Sequence, residues 1–198
     1  MKLKINQFSR YLIDPSLSSS LKNFTKGRSI YLDIGCGDGE FVTELAEKYP
    51  KKYFVGIEIK YGRIIKCLKK AKLNKNHNLR YMLADASIML NQIIPPNSIN
   101  KIFINNPDPW PKEKHEKNRI LNSMFFTVLH KALKRRGFLY IKTDDRGYKS
   151  FIEKEISKSQ FKKNNNLTRF DKSLPLTKFQ KLYLNNNKRI YSFKLEKL

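Results

Sequence analysis

The chain has 198 residues, with 41 lysines and arginines against 17 aspartates and glutamates, and its net charge is +24 at pH 7. This length fits one α/β domain, and the charge favours a polyanionic partner such as RNA, DNA or an anionic membrane. Abundant Asn, Lys and Ile leave compositional drift open as another source of the lysines. Two cysteines without metal-ligand spacing, and no apolar run of signal-peptide or membrane-span length, predict a reduced, cytoplasmic protein outside the membrane.

The first 28 residues predict a basic arm, with a short helix permitted near residues 17–24. From residue 29 onward, apolar runs of strand length alternate with amphipathic segments of helix length. The predicted strands cover Ser29–Ile34, Tyr53–Ile59, Leu79–Leu83, Ile99–Asn105 and Phe138–Lys142. The predicted helices cover Gly39–Tyr49, Ile64–Lys75, a segment capped by Asp85 and running to Ile93, Leu121–Leu133 and Asp145–Ile156.

The C-terminal segment has a different pattern. Lys162–Asn166 is a polar run. Lys163–Asn166 and Asn185–Lys188 predict loop tips, Leu174–Phe179 predicts a loop, and Arg189–Leu195 alternates with period two as a last strand. Strands that alternate with helices at short spacing predict a parallel sheet with helices on both faces. We therefore predict one domain over residues 29–198, with a cofactor half at 29–105 and a substrate half at 106–198.

A glycine-rich turn, Asp33-Ile34-Gly35-Cys36-Gly37-Asp38-Gly39, joins the first predicted strand to the first helix. Gly35, Gly37 and Gly39 let the backbone turn sharply and approach a ligand closely. Asp33 ends the first strand, and Glu58 lies at the end of the second, where it can accept hydrogen bonds from both ribose hydroxyls of an adenosine. The pattern predicts a nucleotide-type cofactor at the carboxyl edge of the sheet.

The spacing of these glycines favours one class of cofactor. A dinucleotide loop has the spacing G-x-G-x-x-G and a helix N-terminus facing a pyrophosphate. Here the spacing is G-x-G-x-G, and the carboxylates of Asp33, Asp38 and Glu40 would repel a pyrophosphate. They suit a cationic, phosphate-free ligand, S-adenosylmethionine, whose adenine would meet Asp85 and Ala86. Asp85 is also a plausible helix cap, and the two roles are compatible.

A second loop, Asn106-Pro107-Asp108-Pro109-Trp110-Pro111-Lys112, follows the fourth predicted strand. Its prolines fix φ, so the carboxylate and the indole are preorganised. A cluster of cations follows directly. An acid, an aromatic ring and cations suit a nucleobase and its phosphates, although a rigid surface loop with solvated charges would have the same composition.

These two loops, with Gly56-Ile57-Glu58, Thr143-Asp144 and Thr177-Lys178-Phe179, resemble the bacterial tRNA (guanine-46-N7)-methyltransferases in order and spacing. The resemblance covers nearly the whole chain from residue 29. It implies a Rossmann-like S-adenosylmethionine-dependent methyltransferase fold, with a mostly parallel seven-stranded sheet and helices on both faces. It also implies tRNA as substrate and partner, S-adenosylhomocysteine as product, and a monomer or homodimer.

The resemblance also implies roles for single residues. It makes Asp108 the catalytic residue and a contact of the methyl donor. The other donor-binding positions, together with those from the glycine turn and the adenine side, are Asp33, Gly35, Gly37, Gly39, Glu58, Asp85 and Ala86. The positions that would hold the target guanosine are Lys112, Asp144, Thr177, Lys178, Phe179 and Gln180. The positions that would touch tRNA are Lys114, His115, Lys117 and Arg119.

This chain departs from the family pattern at Gln180, where the family has Glu. Because a charged acceptor binds more strongly than a neutral one, we expect Gln180→Glu to tighten guanosine binding or raise turnover. Two other readings stay open: a methyltransferase of exocyclic amines, whose N-P-P-aromatic loop lacks the Asp inserted here, and a non-catalytic RNA-binding protein. The intact acids argue against the second reading, since RNA binding gains nothing from carboxylates.

Overall fold

A computed structural model describes residues 8–14, 24–186 and 188–198. Its strands form one seven-stranded sheet in the order β3-β2-β1-β4-β5-β7-β6. The strands are β1 Ile30–Ile34, β2 Tyr53–Glu58, β3 Leu79–Leu83, β4 Ile99–Asn105, β5 Leu133–Thr143, β6 Lys162–Lys163 and β7 Tyr191–Glu196. Strands β1 to β5 pair in parallel, whereas β7 is antiparallel to both β5 and β6. The predicted mostly parallel sheet is confirmed.

Several helices begin at a residue whose side chain caps them. Asp85 accepts a hydrogen bond from the Ile88 amide at 3.0 Å, and Asp145 accepts one from the Tyr148 amide at 2.6 Å. Such caps satisfy amides that the first helical turn leaves unpaired. The helices are α1 Glu40–Lys48, α2 Tyr61–Leu73, α3 Ala86–Ile88, α4 Ser123–Ala132, α5 Arg146–Lys158, α6 Arg169–Lys172 and α7 Lys178–Asn185. A π-helical turn at Met89–Ile93 continues α3.

The core lies on both faces of the sheet. Alternate residues of one strand point to opposite faces, so Leu32 joins the cluster that α3, α4 and α5 cover, while Tyr31 joins the cluster under α1 and α2. In β4, Ile102 and Phe103 divide in the same way. Full burial of such a side chain stabilises the fold by about 1.5–3 kcal/mol. The predicted cover of helices on both faces is confirmed.

The C-terminal segment contains elements that the sequence did not predict. The predicted loop Leu174–Phe179 is wrong at its end, because Thr177 and Gln180 form a reciprocal capping box that starts α7. The predicted loop tip Lys163–Asn166 is wrong at its first residue, since Lys163 belongs to β6 and pairs with Leu195 of β7. The segment before β7 is therefore held by local capping and by edge pairing.

The described part of the N-terminal arm lies along the outer edge of β3. The Ile13 amide donates to the Tyr81 carbonyl at 2.8 Å, and the Tyr81 amide donates to the Tyr11 carbonyl at 2.8 Å. The Phe8 and Ile13 side chains are buried. Most of the helix predicted near residues 17–24 lies outside the described residues. None of the helices in the described ranges is both long and apolar enough to cross a membrane.

Candidate functional site

The candidate site lies at the edge of the sheet where β1, β2 and β4 end. The loops after these strands line two adjoining cavities, one of about 500 Å³ and one of about 300 Å³. Gly35, Arg63, Asn105 and Asn106 line both. Parallel α/β sheets bind ligands beyond the carboxyl ends of their strands. The structure therefore brings the glycine turn and the proline-rich loop to one place.

The glycine turn is held in shape by backbone hydrogen bonds and by Glu58. The Gly35 and Cys36 amides donate to the Ile57 carbonyl at 2.9 and 3.0 Å. Glu58 is 5% exposed and accepts the Gly37 amide at 3.0 Å through Oε2 and the Lys60 amide at 2.9 Å through Oε1. Each carboxylate oxygen has a further lone pair. Glu58 can thus fix the turn and still accept a ribose hydroxyl.

Gly39→Ala is expected to destabilise the protein strongly. Gly39 has φ of 77°, and a Cβ there would lie 2.7 Å from Tyr81 Oη and 2.9 Å from Cys67 Sγ. Left-handed backbone alone costs a residue with a Cβ about 1–2 kcal/mol, and the clash adds to that. Gly62→Ala is the matched control, because nothing lies within 4 Å of its Cβ position in α2. We expect thermal unfolding to show a lower midpoint for Gly39→Ala and an equal or higher one for Gly62→Ala. Equal midpoints for both variants would contradict the conclusion that position 39 has no room for a Cβ atom.

Asp33 is a buried carboxylic acid at the floor of the larger cavity. It is 2% exposed. Burial raises its pKa to about 8, the Asn105 side chain opposes the rise, and the negative charge of Glu58 adds to it. A buried carboxylate without a cation is costly, and this cost is the main cause of the raised pKa.

Three cations of α2 lie near acids in the glycine turn or beside it. Lys66 Nζ lies 3.3 Å from Asp38 Oδ2, and Lys70 Nζ lies 3.9 Å from Glu40 Oε1. Arg63 Nη1 lies 3.8 Å from Glu58 Oε2. Asp33 has no such partner among the ion pairs of the described residues. The sequence pattern did not identify Arg63 as a cavity residue.

The smaller cavity collects the residues predicted to meet the donor's adenosine. Glu58, Asp85, Ala86 and Asp108 line it together with Trp110. Asp85 is exposed and caps α3, so its cap role is present beside the predicted one. Asp108 is exposed at the cavity wall. The predicted adenine, ribose and catalytic positions therefore share one cavity.

Arg119 is buried and hydrogen-bonds to the backbone of the proline-rich loop. It is 6% exposed, and its Nε and Nη2 donate to the carbonyls of Pro109 at 2.9 Å and Trp110 at 3.3 Å. Its guanidinium also pairs with Glu116 and lies over the Phe151 ring, 4.8 Å from the centroid. Each of its three nitrogens thus has a partner inside the protein, and its predicted contact with tRNA stays a prediction. Lys112, Lys114 and Lys117 are exposed, and the ring of His115 meets Trp110 edge-on at 5.7 Å.

Arg119→Ala and Lys117→Ala are expected to affect different properties of the protein. Arg119→Ala leaves two loop carbonyls without their donors, so we expect a loss of stability of about 1–3 kcal/mol and weaker donor binding. Lys117 is exposed, so Lys117→Ala should leave stability unchanged. It should weaken tRNA binding and reduce its salt dependence by about one phosphate contact. Calorimetry and filter binding at several salt concentrations check both; a stable Arg119→Ala protein would refute the anchor role.

The far wall of the larger cavity comes from the start of α7. Thr177, Lys178, Phe179 and Leu182 line it. Phe179 is 50% exposed, and its ring stacks on Tyr183 with centroids 6.3 Å apart. An exposed aromatic ring on a cavity wall is suited to stack on a base. Three of the predicted guanosine residues thus reach the cavity.

The other predicted guanosine residues do not line either cavity. Lys112 is exposed on the proline-rich loop. Asp144 contacts a residue that lines both cavities: its Oδ1 accepts a hydrogen bond from Asn106 Nδ2 at 3.2 Å. Gln180 is 0% exposed and is fully hydrogen-bonded to protein. The predicted contact of Gln180 with guanosine stays a prediction, and the structure places this side chain inside the protein. In the described residues, no group of three or more His, Cys, Asp or Glu could hold a metal ion.

The sequence and the fold both match known methyltransferases. Residues 27–193 match a family model described as "Putative methyltransferase". Two solved structures, an antibiotic-related methyltransferase and the antibiotic-resistance methyltransferase Kmr, superpose with TM-scores of 0.65 and 0.62. Their identities are 18% and 16%, and the alignments cover 94% and 91% of this chain and 96% and 92% of those chains. These structures support the Rossmann-like methyltransferase fold.

Relatives of higher identity identify the family. A tRNA (guanine-N(7)-)-methyltransferase of Buchnera aphidicola subsp. Acyrthosiphon pisum (strain 5A) is 36% identical, covering 85% of this chain and 73% of that protein. One of Staphylococcus haemolyticus is 36% identical, covering 85% and 80%. One of Thermotoga maritima is 34% identical over 81% of this chain, which spans 50% of that protein's length. The chain therefore belongs to the family of bacterial tRNA (guanine-N(7)-)-methyltransferases.

Proposed function

We propose that this chain transfers the methyl group of S-adenosylmethionine to N7 of a guanosine in tRNA, at position 46 of the variable loop. The observation that carries the proposal is the pair of adjoining cavities, one lined by the acids Glu58, Asp85 and Asp108 and the other by Asp33 and Phe179. Family membership supports the reaction, and the net charge of +24 supports tRNA as the partner.

The residues present fit the methyl donor. Asp33 is a buried acid without a cation, which suits the donor's ammonium group. Glu58 has free lone pairs for the ribose hydroxyls, and Ala86 offers a small apolar surface to the adenine. When bound, the donor supplies a methyl group on a positively charged sulfonium. The adenosine would occupy the smaller cavity, and the methionine portion would pass Gly35 into the larger one.

Guanine N7 has a lone pair and no proton, so the protein does not need a strong base. Its tasks are to align the base with the methyl group and to stabilise the positive charge that the purine gains. Phe179 can support the base by stacking, and Thr177 can hydrogen-bond its edge. The Asp108 carboxylate lines the smaller cavity, two residues after Asn106, which lines both cavities, and it can stabilise the cationic ring electrostatically. Asp108 is in this sense the proposed catalytic residue.

The proposal also covers how tRNA reaches the site. The variable-loop guanosine is held in tertiary pairing, so its N7 edge must be exposed before transfer. The exposed Lys112, Lys114 and Lys117 stand on the loop beside the smaller cavity and suit phosphate contacts. We propose action in the cytoplasm, as a monomer or homodimer, with residues 29–105 serving mainly the donor and residues 106–198 mainly the tRNA.

The test is incubation of the purified chain with labelled S-adenosylmethionine and an unmodified tRNA transcript, followed by nucleoside analysis. We expect label in N7-methylguanosine only. A transcript with adenosine in place of guanosine at position 46 is the matched control, and it should take up no label. Label in an N6-methyladenosine fraction would move the chain to the amine-methylating class. Tight tRNA binding without donor binding would leave a non-catalytic RNA-binding protein.

A further inference from the structure

Three arginines lie together at the edge of the sheet opposite the candidate site. Arg28 precedes β1, Arg80 is the second residue of β3, and Arg10 lies in the N-terminal arm that runs beside β3. The cavities lie where β1 and β2 end, so the length of a strand, five residues and about 16 Å, separates the arginines from the candidate site. The three arginines line neither cavity, so donor binding does not explain them.

Shared neighbours hold the three guanidinium groups in one place. Arg10 Nη2 lies 2.6 Å from His77 Nδ1, and Arg80 Nη1 donates to the His77 carbonyl at 3.1 Å. The centroid of the Phe24 ring lies 4.6 Å from Arg80 Cζ and 5.7 Å from Arg28 Cζ. His77 thus joins Arg10 to Arg80, and Phe24 joins Arg80 to Arg28. These contacts define the arginine cluster.

The arginine cluster has no acidic partner in the part of the chain that the structure describes. The ion pairs between described residues include none of its three arginines. Burial lowers the pKa of Arg80, and the positive charges of Arg10 and Arg28 lower it further, while no described carboxylate opposes them. In the sequence, positions 1–7 and 15–23 add three lysines and no Asp or Glu. An anion from outside the chain would therefore relieve the repulsion within the cluster.

The side chains of the cluster offer hydrogen-bond donors. A guanidinium can only donate, so the His77 Nδ1 that faces Arg10 accepts, and the ring proton lies on Nε2 as a further donor. Hydrogen bonds between described residues use one nitrogen each of Arg10, Arg28 and Arg80. Arg10 and His77 are exposed, and the other two arginines are half-buried. Phosphate oxygens are acceptors, and a guanidinium can bind two of them at once.

Compositional drift toward lysine does not explain this cluster. Arginine supplies only 10 of the 41 basic residues of the chain, and three of the ten meet here. The half-buried pair is also held by aromatic rings, since Arg28 Cζ lies 4.2 Å from the centroid of Tyr53 in addition to its contact with Phe24. Side chains that are ordered before binding lose less entropy when a ligand binds. The arrangement therefore suits a phosphate better than a set of solvated lysines would.

We infer that Arg10, Arg28 and Arg80 bind a backbone phosphate of tRNA, at the edge of the sheet opposite the guanosine that is methylated. This inference rests on tRNA as the partner in the proposed function, and it adds a second contact surface to the exposed lysines of the proline-rich loop. An arm of tRNA is longer than a strand of this sheet, so one RNA can reach both edges. A phosphate contact positions the RNA without reading its sequence. It should therefore affect tRNA binding and leave the chemical step unchanged.

Two substitutions distinguish a bound phosphate from general attraction. Arg10 is exposed, so Arg10→Gln removes one charge from the cluster and should keep the fold intact. Arg80→Lys keeps the charge but removes the planar fork of donors. Arg135→Gln is the matched control, because Arg135 is exposed at the amino end of β5, on the same edge but four strands away from β3 in the sheet.

The experiment measures filter binding of an unmodified tRNA transcript at several salt concentrations, together with the steady-state kinetics of methyl transfer. We expect Arg10→Gln and Arg80→Lys each to weaken tRNA binding by about three- to tenfold. The salt dependence should fall by about one phosphate contact in Arg10→Gln only, since Arg80→Lys keeps its charge. Both variants should raise KM for tRNA at unchanged kcat and bind S-adenosylhomocysteine as wild type does. Arg135→Gln should match wild type in every readout.

Thermal unfolding in sodium phosphate and in sodium chloride of equal ionic strength adds a second arm. Wild-type tRNA affinity in both cluster variants would overturn the inference, even if Arg80→Lys unfolds at a lower temperature, because the arginines would then serve packing alone. An equal loss in Arg135→Gln would also overturn it, since net charge would explain the binding. A midpoint that phosphate raises in wild type but not in Arg10→Gln, at unchanged tRNA affinity, would assign the cluster to free phosphate instead. These outcomes leave the proposed function intact, whereas a wild type that binds no tRNA would refute both.

Discussion

Asp108→Asn is expected to lower the rate of methyl transfer by about a hundredfold or more, while S-adenosylhomocysteine binding stays within a few-fold of wild type. The change keeps the size of the side chain and removes only its charge. During transfer, positive charge leaves the sulfonium and develops on the purine. A carboxylate that faces this charge stabilises the transition state more than the bound reactants, and only such a difference raises the rate.

Single-turnover kinetics with excess enzyme measure this effect without interference from product release. Glu44→Gln is the charge control, because Glu44 lies exposed on α1 away from both cavities, and it should transfer at the wild-type rate. The proline-rich loop should keep its shape in Asp108→Asn, since Arg119 holds it through the carbonyls of Pro109 and Trp110. Single-turnover rates within about threefold of wild type would remove Asp108 from the catalytic role.

The parallel part of the fold was predictable because its elements obey simple hydrophobic patterns. Each of β1 to β4 is an apolar run, and each is followed by a turn residue or a helix cap such as Asp85. The carboxyl ends of these strands then place Asp33, Glu58 and Asp108 at one edge without any knowledge of side-chain contacts. Those residues reach the two cavities as the sequence predicts.

Helix α7 was not predictable from hydrophobic periodicity, because its pattern is inverted. It buries the polar side chain of Gln180 and leaves Phe179, Leu182 and Leu184 between 47% and 53% exposed. A surface helix normally buries its apolar stripe. The capping box of Thr177 and Gln180 was the local signal for this helix. The exposed apolar face is explained by the cavity that Phe179 and Leu182 line.

The sequence did not predict that the side chains of Arg119 and Gln180 are buried. A basic residue in a basic stretch predicts a surface contact, yet Arg119 is 6% exposed and satisfies the loop behind Trp110. Asn105, like Arg63, lines both cavities and was not predicted from the sequence. It is a polar residue that ends the apolar strand β4, beside Asp33 on β1. Polar side chains at strand ends are candidates for a site even when no motif includes them.

Asp33→Asn is expected to abolish donor binding and, at the same time, to stabilise the protein in a pH-dependent way. Burial raises the pKa of Asp33 from 3.8 to about 8. Between these values the native state retains a proton that the unfolded state has released. Stability therefore falls as pH rises from about 4 to about 8, because the native state binds more protons. The asparagine variant has no proton to lose at position 33. Its free energy of unfolding should therefore exceed that of wild type by an amount that grows from about pH 4 to about pH 8.

Two ionisable neighbours of Asp33, Tyr81 and Cys36, do not titrate in this pH range. Burial raises the pKa of Tyr81, and the adjacent Cys67 thiol and burial raise the pKa of Cys36, so both stay neutral through this range. Glu58 is the remaining charge beside Asp33, and it is present in both proteins. Asp38→Asn is the matched control, since Asp38 is 39% exposed and paired with Lys66. Its unfolding midpoint should differ from wild type by a constant amount at every pH.

Unfolding midpoints of wild type and Asp33→Asn at pH 5, 7 and 8.5 test the stability effect. One pKa unit corresponds to about 1.4 kcal/mol, and about 1 kcal/mol shifts the midpoint of a chain of this size by about 2–4 °C. Between pH 5 and pH 8.5 we expect the midpoint of the variant to gain on that of wild type by about 8–17 °C. Wild-type affinity for S-adenosylhomocysteine should rise with pH toward 8, because the ammonium of the ligand needs the ionised acid. A variant that is less stable at pH 8.5 would show that Asp33 already has a cationic partner in the free protein, and the donor's ammonium group would then have to bind elsewhere.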